Sequence, residues 1–224
     1  MKRASAAETA APRKPRGRPR SFDRDAALDA AMQVFWEKGY EATSISDLTE
    51  VMGINPPSLY AAFGDKERLF MEAIERYAQA RGSSCPYCEE ATAREAIEKL
   101  LTYMATELTE SSHPRGCLMM MAAVTSGNTS AQLQKALADM RTGSRDRMKE
   151  RIKCGMADGD VPAGTNAGAL ADFYSTIMTG MSMNARDGAT RKGLMATVAQ
   201  AMQVFPPAPK GAAKARKRRE AEAA

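Results

Sequence analysis

Two consecutive prolines, Pro56 and Pro57, constrain the fold of this chain more than any other feature. Proline in a helix interior costs about 3 kcal/mol or more, but the first turn tolerates it because that N–H has no intrahelical partner. The sequence GINPPSLYAAFG therefore predicts a short helix that Asn55 caps, that begins with the two prolines and that ends near Phe63, where Gly64 can adopt a left-handed conformation. Its shortness raises the question of what this helix does.

The composition predicts an all-helical protein. Ala, Met, Leu, Glu, Lys and Arg dominate its 224 residues, and alternating runs of β-branched residues are almost absent. A hydrophobic fraction of 44% and a charged fraction of 26% suit a soluble globular chain of one or two domains. No apolar stretch reaches the roughly 20 residues that span a bilayer, and the N-terminus lacks the apolar core of a secretory signal. We therefore expect a cytoplasmic protein that contacts no membrane and whose four cysteines are reduced.

Positive charge is concentrated at the two ends of the chain. Residues 1–20 hold seven Lys and Arg against one Glu, and residues 206–224 hold six against two Glu. The net charge of the whole chain is only +5, so the region between the ends is acidic. This distribution predicts a disordered basic arm and a disordered basic tail, with a polyanion such as nucleic acid as the partner. For the C-terminal tail, a solvated segment that only aids solubility explains the composition equally well.

The N-terminal third has the pattern of a helix-turn-helix. Ala27, Ala31 and Phe35 form an apolar stripe at helical spacing, and Ser44 with Asp47 has the form of a capping box that opens a second helix. A tight turn that begins at Gly53 then leads into the helix that starts with the prolines. Helices are predicted over residues 23–38, 44–52, 56–63 and 66–81.

Residues 27–70, ALDAAMQVFWEKGYEATSISDLTEVMGINPPSLYAAFGDKERLF, resemble the DNA-binding domain of the TetR family of bacterial transcriptional regulators. The resemblance rests on EKGY, TSISDL, GIN, SLY and FGDKE in this order, and such a series is far more specific than one motif. It implies an all-α fold of about nine helices. An N-terminal three-helix helix-turn-helix DNA-binding domain, residues 21–81, would precede a C-terminal bundle, residues 82–205, for effector sensing and dimerisation.

A DNA-recognition helix presents its N-terminal residues to base edges in the major groove, and short side chains let its backbone approach closely. The resemblance implies a phosphate contact for Tyr60 and another for Lys66 at the start of the fourth helix, where the helix dipole favours anions. The candidate DNA-binding residues of the helix-turn-helix, residues 44–63, and its flanks are Thr43, Ser44, Asn55, Pro56, Pro57, Ser58, Tyr60 and Lys66. Two alternatives stay open: Thr43 and Ser44 could serve only as caps, and Tyr60 could be buried in the core.

The proline-led helix has few side chains able to make bidentate base contacts, so part of the specificity should come from elsewhere. Residues 16–20, RGRPR, resemble the core of an AT-hook, an extended arm that inserts arginines into a narrow minor groove. We therefore expect Arg18 and Arg20 to contribute directly to DNA affinity.

The C-terminal part is predicted to hold helices over residues 92–108, 117–125, 131–157, 167–185 and 190–205. The last two helices carry small residues such as Ala171, Ser175, Gly180 and Ser182, which allow helices to approach closely. The family resemblance implies that this pair forms a homodimer, as required to place two recognition helices on a palindrome. Methionines could line an effector pocket, although ordinary core packing is the simpler interpretation; they are Met104, Met119, Met120, Met121, Met178, Met181 and Met183.

The four cysteines allow several interpretations. Cys85 and Cys88 form a CPYC motif, but no strand–helix setting for a redox enzyme is predicted around it, so oxidoreductase activity stays only an alternative. The sequence favours a thiol sensor, with Cys117 as its best residue because RGCL resembles a stretch in some cysteine-based sensors of the family. Cys85, Cys88, His113 and Cys117 could also form a thiophilic metal site. The alternative for Cys117 is a buried, inert thiol, and packing is expected for Cys154.

The sequence therefore predicts a sequence-specific DNA-binding transcriptional regulator with no catalytic residues and no cofactor. It is expected to repress from a palindromic operator and to leave the DNA when an effector, a small molecule, an electrophile or a metal ion, acts on the C-terminal bundle. Two alternatives remain, namely a thiol- or metal-based redox protein that uses CPYC and a nonspecific nucleoid-type DNA binder.

Overall fold

The computed structural model describes residues 22–80, 90–124 and 130–210, and within them all regular structure is α-helical. This confirms the predicted fold class. Arg18 and Arg20 of the basic arm, Cys85 and Cys88 of the CPYC motif and the last fourteen residues lie outside the described residues. The helices are α1 Arg24–Lys38, α2 Ile45–Met52, α3 Pro56–Phe63, α4 Lys66–Ala80, α5 Ala93–Glu107, α6 Leu118–Val124, α7 Ala131–Asp158, α8 Ala167–Arg186 and α9 Arg191–Ala201.

Helices α1 to α4 form the N-terminal unit, and local capping explains where they begin. The Asp23 carboxylate accepts hydrogen bonds from the first backbone N–H groups of α1, and Ser44 with Asp47 forms the predicted capping box of α2. Asn55 caps α3 by accepting from the N–H of Ser58, directly ahead of the two prolines. Gly53 adopts the left-handed conformation, with φ of 62° and ψ of 32°, that turns the chain from α2 into α3. The predicted helix-turn-helix is therefore present.

Aromatic side chains fill the centre of the N-terminal unit. The ring of Phe35 on α1 meets Phe70 of α4 edge-on at a centroid distance of 4.9 Å, and Tyr40 lies against the same Phe70 at 5.0 Å. Leu48 of α2 and Leu59 of α3 are fully buried. The two short helices of the helix-turn-helix are thus held on the α1 and α4 pair by core packing, which compensates for their low intrinsic stability.

Helices α5 to α9 form the C-terminal bundle. The predicted capping box of Thr92 and Glu95 opens α5, and Gly159 closes the long helix α7 in a left-handed conformation. One boundary differs from expectation, because α9 ends at Ala201 rather than at residue 205. Phe205 precedes a proline, which disfavours a helical conformation there, and the Arg94 guanidinium donates hydrogen bonds to the carbonyls of Met202 and Phe205.

The N-terminal unit is joined to the bundle at the C-terminal end of α1. The indole N–H of Trp36 donates to the Gly116 carbonyl at 3.1 Å, and the indole stacks on the His113 ring at a centroid distance of 4.4 Å. The Arg186 guanidinium, at the end of α8, donates to the backbone carbonyls of Trp36, at 2.8 Å, and Glu37. These contacts join the last turn of α1 to α8 and to the loop that precedes α6. No helix among the described residues is long and apolar enough to cross a membrane.

Candidate nucleic-acid interface

Helix α3 has one buried face and one free face. Leu59 and Phe63 point into the core, with exposed fractions of 0% and 3%. Asn55, Pro56 and Pro57 are exposed, and Ser58 is half-buried. Tyr60 is 48% exposed, which excludes the alternative that it is a core residue. The first turn of α3 and Tyr60 therefore form a convex surface of short side chains with one long polar group, a shape that fits a DNA groove.

The start of α2 contributes a second part of this surface. Ser44 is exposed, and its backbone N–H and hydroxyl both donate to the Asp47 carboxylate, at 2.8 and 2.6 Å. Thr43 is placed differently from expectation, because only 1% of it is exposed and its hydroxyl donates to the Gly39 carbonyl at 2.6 Å. In this conformation Thr43 holds the α1–α2 turn and does not present its hydroxyl to a partner, so of these two candidates only Ser44 lies at the surface.

An ion pair fixes this capping box to α1. The Lys38 ammonium lies 2.6 Å from the Asp47 carboxylate. Hydrogen bonds from Lys38 and then from Ser44 hold the pKa of Asp47 well below its usual range, so the carboxylate that caps α2 stays ionised near neutral pH. The orientation of α2 against α1 is set by one carboxylate that serves both helices.

Lys66 lies at the first position of α4. Its ammonium is 4.3 Å from the centroid of the Tyr40 ring, a cation–π geometry, and partial burial lowers its pKa. Burial also raises the pKa of Tyr40 to about 12, so the ring remains a neutral phenol near neutral pH. The contact positions the ammonium at a helix N-terminus, where the dipole adds to the attraction for an anion.

Sequence reasoning missed the ion pairs that brace α1 against α4. Arg24 contacts both carboxylate oxygens of Glu72, at 2.6 and 2.8 Å, and its guanidinium lies 4.4 Å from the centroid of the Phe63 ring. Arg76 makes a bidentate contact with Asp29, at 2.5 and 2.7 Å. The partners are 47 or 48 residues apart, so no local pattern pairs them. Arg24 thereby links α1, the end of α3 and α4 in one contact set.

Two clefts are lined by described residues, one beside α3 and α4 and one along α7. The larger, of about 770 Å³, runs between α3, α4 and the start of α7 and carries Asp65, Glu67, Glu72 and Glu75. The second, of about 600 Å³, follows α7 past Glu90, Arg151 and Cys154. Neither of these two clefts includes the seven methionines predicted as pocket candidates. Met178 and Met181 are buried core residues, as their simpler interpretation suggests.

The described cysteines differ from expectation in one respect. Cys117 is 4% exposed, and its backbone N–H donates to the buried Ser182 hydroxyl at 2.9 Å. Cys154 was expected to be a packing residue but is exposed on α7, because it lies on the face of α7 that borders the second cleft. Within the described residues no three His, Cys, Asp or Glu side chains gather as metal ligands, and the Nδ1 atom of His113 lies 2.9 Å from the Pro114 carbonyl. The CPYC thiols of the candidate metal set fall outside these residues.

Comparison with known proteins assigns both parts of the chain. Residues 27–73 match the model of bacterial regulatory proteins of the TetR family, and residues 93–202 match a tetracyclin repressor-like C-terminal domain. The chain is 36% identical over 198 residues to the HTH-type transcriptional repressor ComR of Escherichia coli (strain K12), which covers 87% of this chain and 94% of ComR. It is 30% identical over 193 residues to the transcriptional repressor BdcR of the same strain, covering 83% and 90% of the two chains.

A solved structure is similar as well. A cysteine mutant of the TetR family transcriptional regulator CifR, complexed with 26-bp double-stranded operator DNA, has a TM-score of 0.81 and 43% sequence identity to this chain. The match covers 84% of this chain and all of that one. With the helix-turn-helix geometry and these matches along both parts, the chain belongs to the TetR family of bacterial regulatory proteins.

Proposed function

We propose that this protein is a homodimeric, cytoplasmic transcriptional repressor that binds a palindromic operator and leaves it when an effector acts on the C-terminal bundle. The observation that carries the proposal is the free face of α3, held by a buried core and by ion pairs from α1 and α4. It is supported by ComR and BdcR, which are named repressors, and by CifR, which is bound to operator DNA. Residues 21–81 would bind DNA and residues 82–205 would sense the effector and dimerise.

In this proposal the contacts divide into three classes. Asn55, Pro56, Pro57 and Ser58 face base edges and thymine methyl groups in the major groove. Ser44, Tyr60 and Lys66 contact the phosphate backbone. Arg18 and Arg20 of the arm insert into the minor groove. Thr43 supports this surface from beneath, because its buried hydroxyl is already bonded to Gly39.

The last two helices offer a surface for the second protomer. Thr176, Thr179 and Gly180 are exposed on α8, and a side chain added at Gly180 would meet no atom within 4 Å. Val204, just beyond α9, is 53% exposed. Two of the small residues expected at a dimer interface, Ala171 and Ser182, are instead buried within the protomer and fall outside the proposed interface.

A matched pair of substitutions tests the dimer. Gly180→Arg and Gly164→Arg both enter open space in the protomer, so neither disturbs its own fold. We expect Gly180→Arg to yield monomers in sedimentation analysis and to weaken operator binding by about 100-fold or more, since a dimer engages two half-sites at once. Gly164→Arg should behave as wild type. Dimeric Gly180→Arg with full operator affinity would remove α8 from the interface.

Operator binding itself is tested with DNA from upstream of the protein's own gene. Fluorescence anisotropy at several salt concentrations, on this DNA and on a shuffled fragment of equal length, separates a specific regulator from a nonspecific binder. We expect a specificity ratio of about 10³ or more. A ratio near unity together with a steep salt dependence would favour the nucleoid-type alternative.

The sensor-thiol prediction for Cys85, Cys88 and Cys117 stays a prediction. Reactive thiols lie in partly exposed, electropositive surroundings, and the buried Cys117 does not meet that description. The test adds diamide or a thiophilic metal ion to the operator complexes of three proteins and measures DNA release. The proteins are the wild type, Cys117→Ser and Cys85→Ser/Cys88→Ser. Release of the wild type with resistance by one variant would assign the sensor, whereas equal behaviour of all three would leave an organic effector.

A further inference from the structure

The buried face of α7 changes character in the middle of the helix. At about 100° per residue, the buried residues of α7 fall within an arc of about 100°, and positions 141 and 144 fall within the same arc. Those positions hold Arg141 and Ser144. The apolar stripe of this helix is therefore interrupted by a cation and a hydroxyl at one level of the bundle. The buried residues of α7 are Leu133, Leu137, Met148, Ile152 and Gly155.

Arg141 has no partner among the residues that the structure describes. The side chain is half-buried, and its Nη1 atom is shielded from solvent and makes no hydrogen bond to any of them. None of the ion pairs among the described residues involves it. A guanidinium is charged at every pH at which a protein folds, so it cannot reduce the cost of burial by losing a proton. A buried polar atom without a partner needs an explanation, and a missing anion would supply one.

Arg145 has the carboxylate partner that Arg141 lacks among the described residues. Arg145, one turn further along α7, forms an ion pair with Asp172 of α8 at 3.3 Å. Helices α7 and α8 are joined by residues 159–166 and pack against each other, so in an antiparallel pair one turn back along α7 corresponds to one turn forward along α8. That position is Thr176, whose hydroxyl donates to the Asp172 carbonyl at 2.9 Å. Helix α8 therefore supplies a carboxylate to Arg145, whereas the residue opposite Arg141 has a hydroxyl that is already hydrogen-bonded within α8.

Partly buried methionines lie on α7 itself and on the neighbouring helix α6. Met140 on α7 and Met119 and Met120 on α6 are partly buried and pack against the core, and α6 contacts both α7 and α8. Methionine side chains repack readily around ligands of irregular shape. A ligand that pairs with Arg141 needs an oxyanion for the guanidinium and an apolar part that can contact the methionine side chains.

We propose that the effector of this protein is an organic acid whose carboxylate binds the Arg141 guanidinium. The proposal rests on the effector-released repressor proposed above and names the chemical class of its effector. The planar carboxylate matches two N–H groups of the guanidinium, and the apolar part of the acid lies on the side of α6. Binding supplies the anion that α8 does not provide and thereby alters the contact between α7 and α8.

Isothermal titration calorimetry on the full-length protein tests this with pairs of probes that differ only in charge. The pairs are phenylacetate with phenylacetamide and octanoate with octanamide, and inorganic phosphate serves as an anion without an apolar part. We expect at least one acid to bind the wild type more tightly than its amide and than phosphate. Arg141→Met should weaken that binding by about 10- to 100-fold, the loss expected for a charge-assisted contact, whereas the control Arg145→Met should retain it.

The outcomes are separable. Failure of both acids to bind the wild type at millimolar concentration, equal binding by Arg141→Met, or binding of phosphate alone would each overturn the proposal. A melting temperature of Arg141→Met at or above that of the wild type is expected, because a half-buried cation with a shielded, unpaired Nη1 atom is replaced by an apolar side chain. Dissociation of the Arg141→Met dimer would instead assign the guanidinium to the partner protomer and would also overturn it.

The acid that binds best is then added to the operator complex of the wild type. Weaker operator binding supports the assignment of an effector, and unchanged operator binding would reduce Arg141 to a ligand site without a regulatory role, against the proposal. If the wild type bound no operator at all, the proposed repressor function would fail, while the calorimetric comparison would still decide whether Arg141 binds carboxylates.

Discussion

Tyr60→Phe offers a sharp test of the DNA interface, because it removes one oxygen atom from α3 and leaves the ring in place. Tyr60 is 48% exposed, and its hydroxyl bonds to no described residue. Loss of this hydroxyl should therefore change the free energy of unfolding by no more than about 0.5 kcal/mol. In the operator complex the hydroxyl is expected to donate to a phosphate, and such a bond to a charged group contributes about 1.5 kcal/mol or more.

A symmetric dimer makes this contact twice. The expected loss is therefore about 3 kcal/mol per complex, or an operator affinity roughly 100-fold lower. Because no charge is removed, the slope of log affinity against log salt should not change. Lys66→Gln provides the contrast, since loss of one phosphate-neutralising charge per protomer should reduce that slope by about 2 for the dimer.

Fluorescence anisotropy on operator and shuffled DNA reads both quantities. A phosphate contact carries no sequence information, so Tyr60→Phe should weaken binding to the two DNAs by a similar factor. Wild-type affinity of the Tyr60→Phe protein would refute the contact. A loss confined to the operator would instead place the Tyr60 hydroxyl on a base edge.

Three further predictions concern stability. Gly155→Ala should lower the free energy of unfolding by about 1–2 kcal/mol in chemical denaturation. The new methyl would lie 2.6 Å from the Ala93 Cβ, and this overpacking exceeds the gain of about 1 kcal/mol in helix propensity. A stabilised variant would contradict this packing. Ser182→Ala should lower the free energy of unfolding by about 1–3 kcal/mol, since it leaves the buried N–H of Cys117 without its acceptor. An unchanged melting temperature would contradict this and would indicate that water replaces the hydroxyl. The folded-state pKa of Asp47 is lowered, so its carboxylate stabilises the fold above its unfolded pKa of about 3.9 and this contribution is lost as the pH falls through the lower folded value. Melting curves of wild type and Asp47→Asn should thus differ most above pH 5 and converge in acid below pH 4, and a constant difference would exclude the ionised cap.

Features set by a few adjacent residues could be predicted from the sequence. The capping boxes of α2 and α5, the Asn55 cap ahead of the prolines and the tight turn that begins at Gly53 all depend on residues within three or four positions of each other, and the structure confirms each. The exposure of the first turn of α3 could also be predicted locally, because the apolar Leu59 and Phe63 are buried on the opposite face of the helix. Local patterns therefore located the helix-turn-helix and most of its free surface.

Features set by distant partners could not be predicted in this way. The Arg24–Glu72 and Arg76–Asp29 pairs join residues on helices that are adjacent only in the folded chain. Thr43 has the same cap-like residue type as Ser44, and only the return of the chain past Gly39 determines that its hydroxyl points inward. Arg141 had a recognisable signal, since a charged residue at a stripe position of α7 conflicts with the apolar pattern, but the missing partner becomes visible only when α8 is in place.

The proposed effector site and the DNA surface are connected through α8. Thr176 lies opposite Arg141, and ten residues later Arg186 donates to the carbonyls that end α1. Helix α1 is held to α4 by the Arg24–Glu72 and Arg76–Asp29 ion pairs and by the shared aromatic core. A displacement of the last turn of α1 should therefore move the N-terminal unit as one body and change the spacing of the two α3 helices in a dimer. Linkage then requires that operator DNA weaken effector binding by the same factor by which the effector weakens operator binding. Arg186→Met, which releases α1 from α8, should reduce both factors together, and an unchanged pair of factors would exclude this connection.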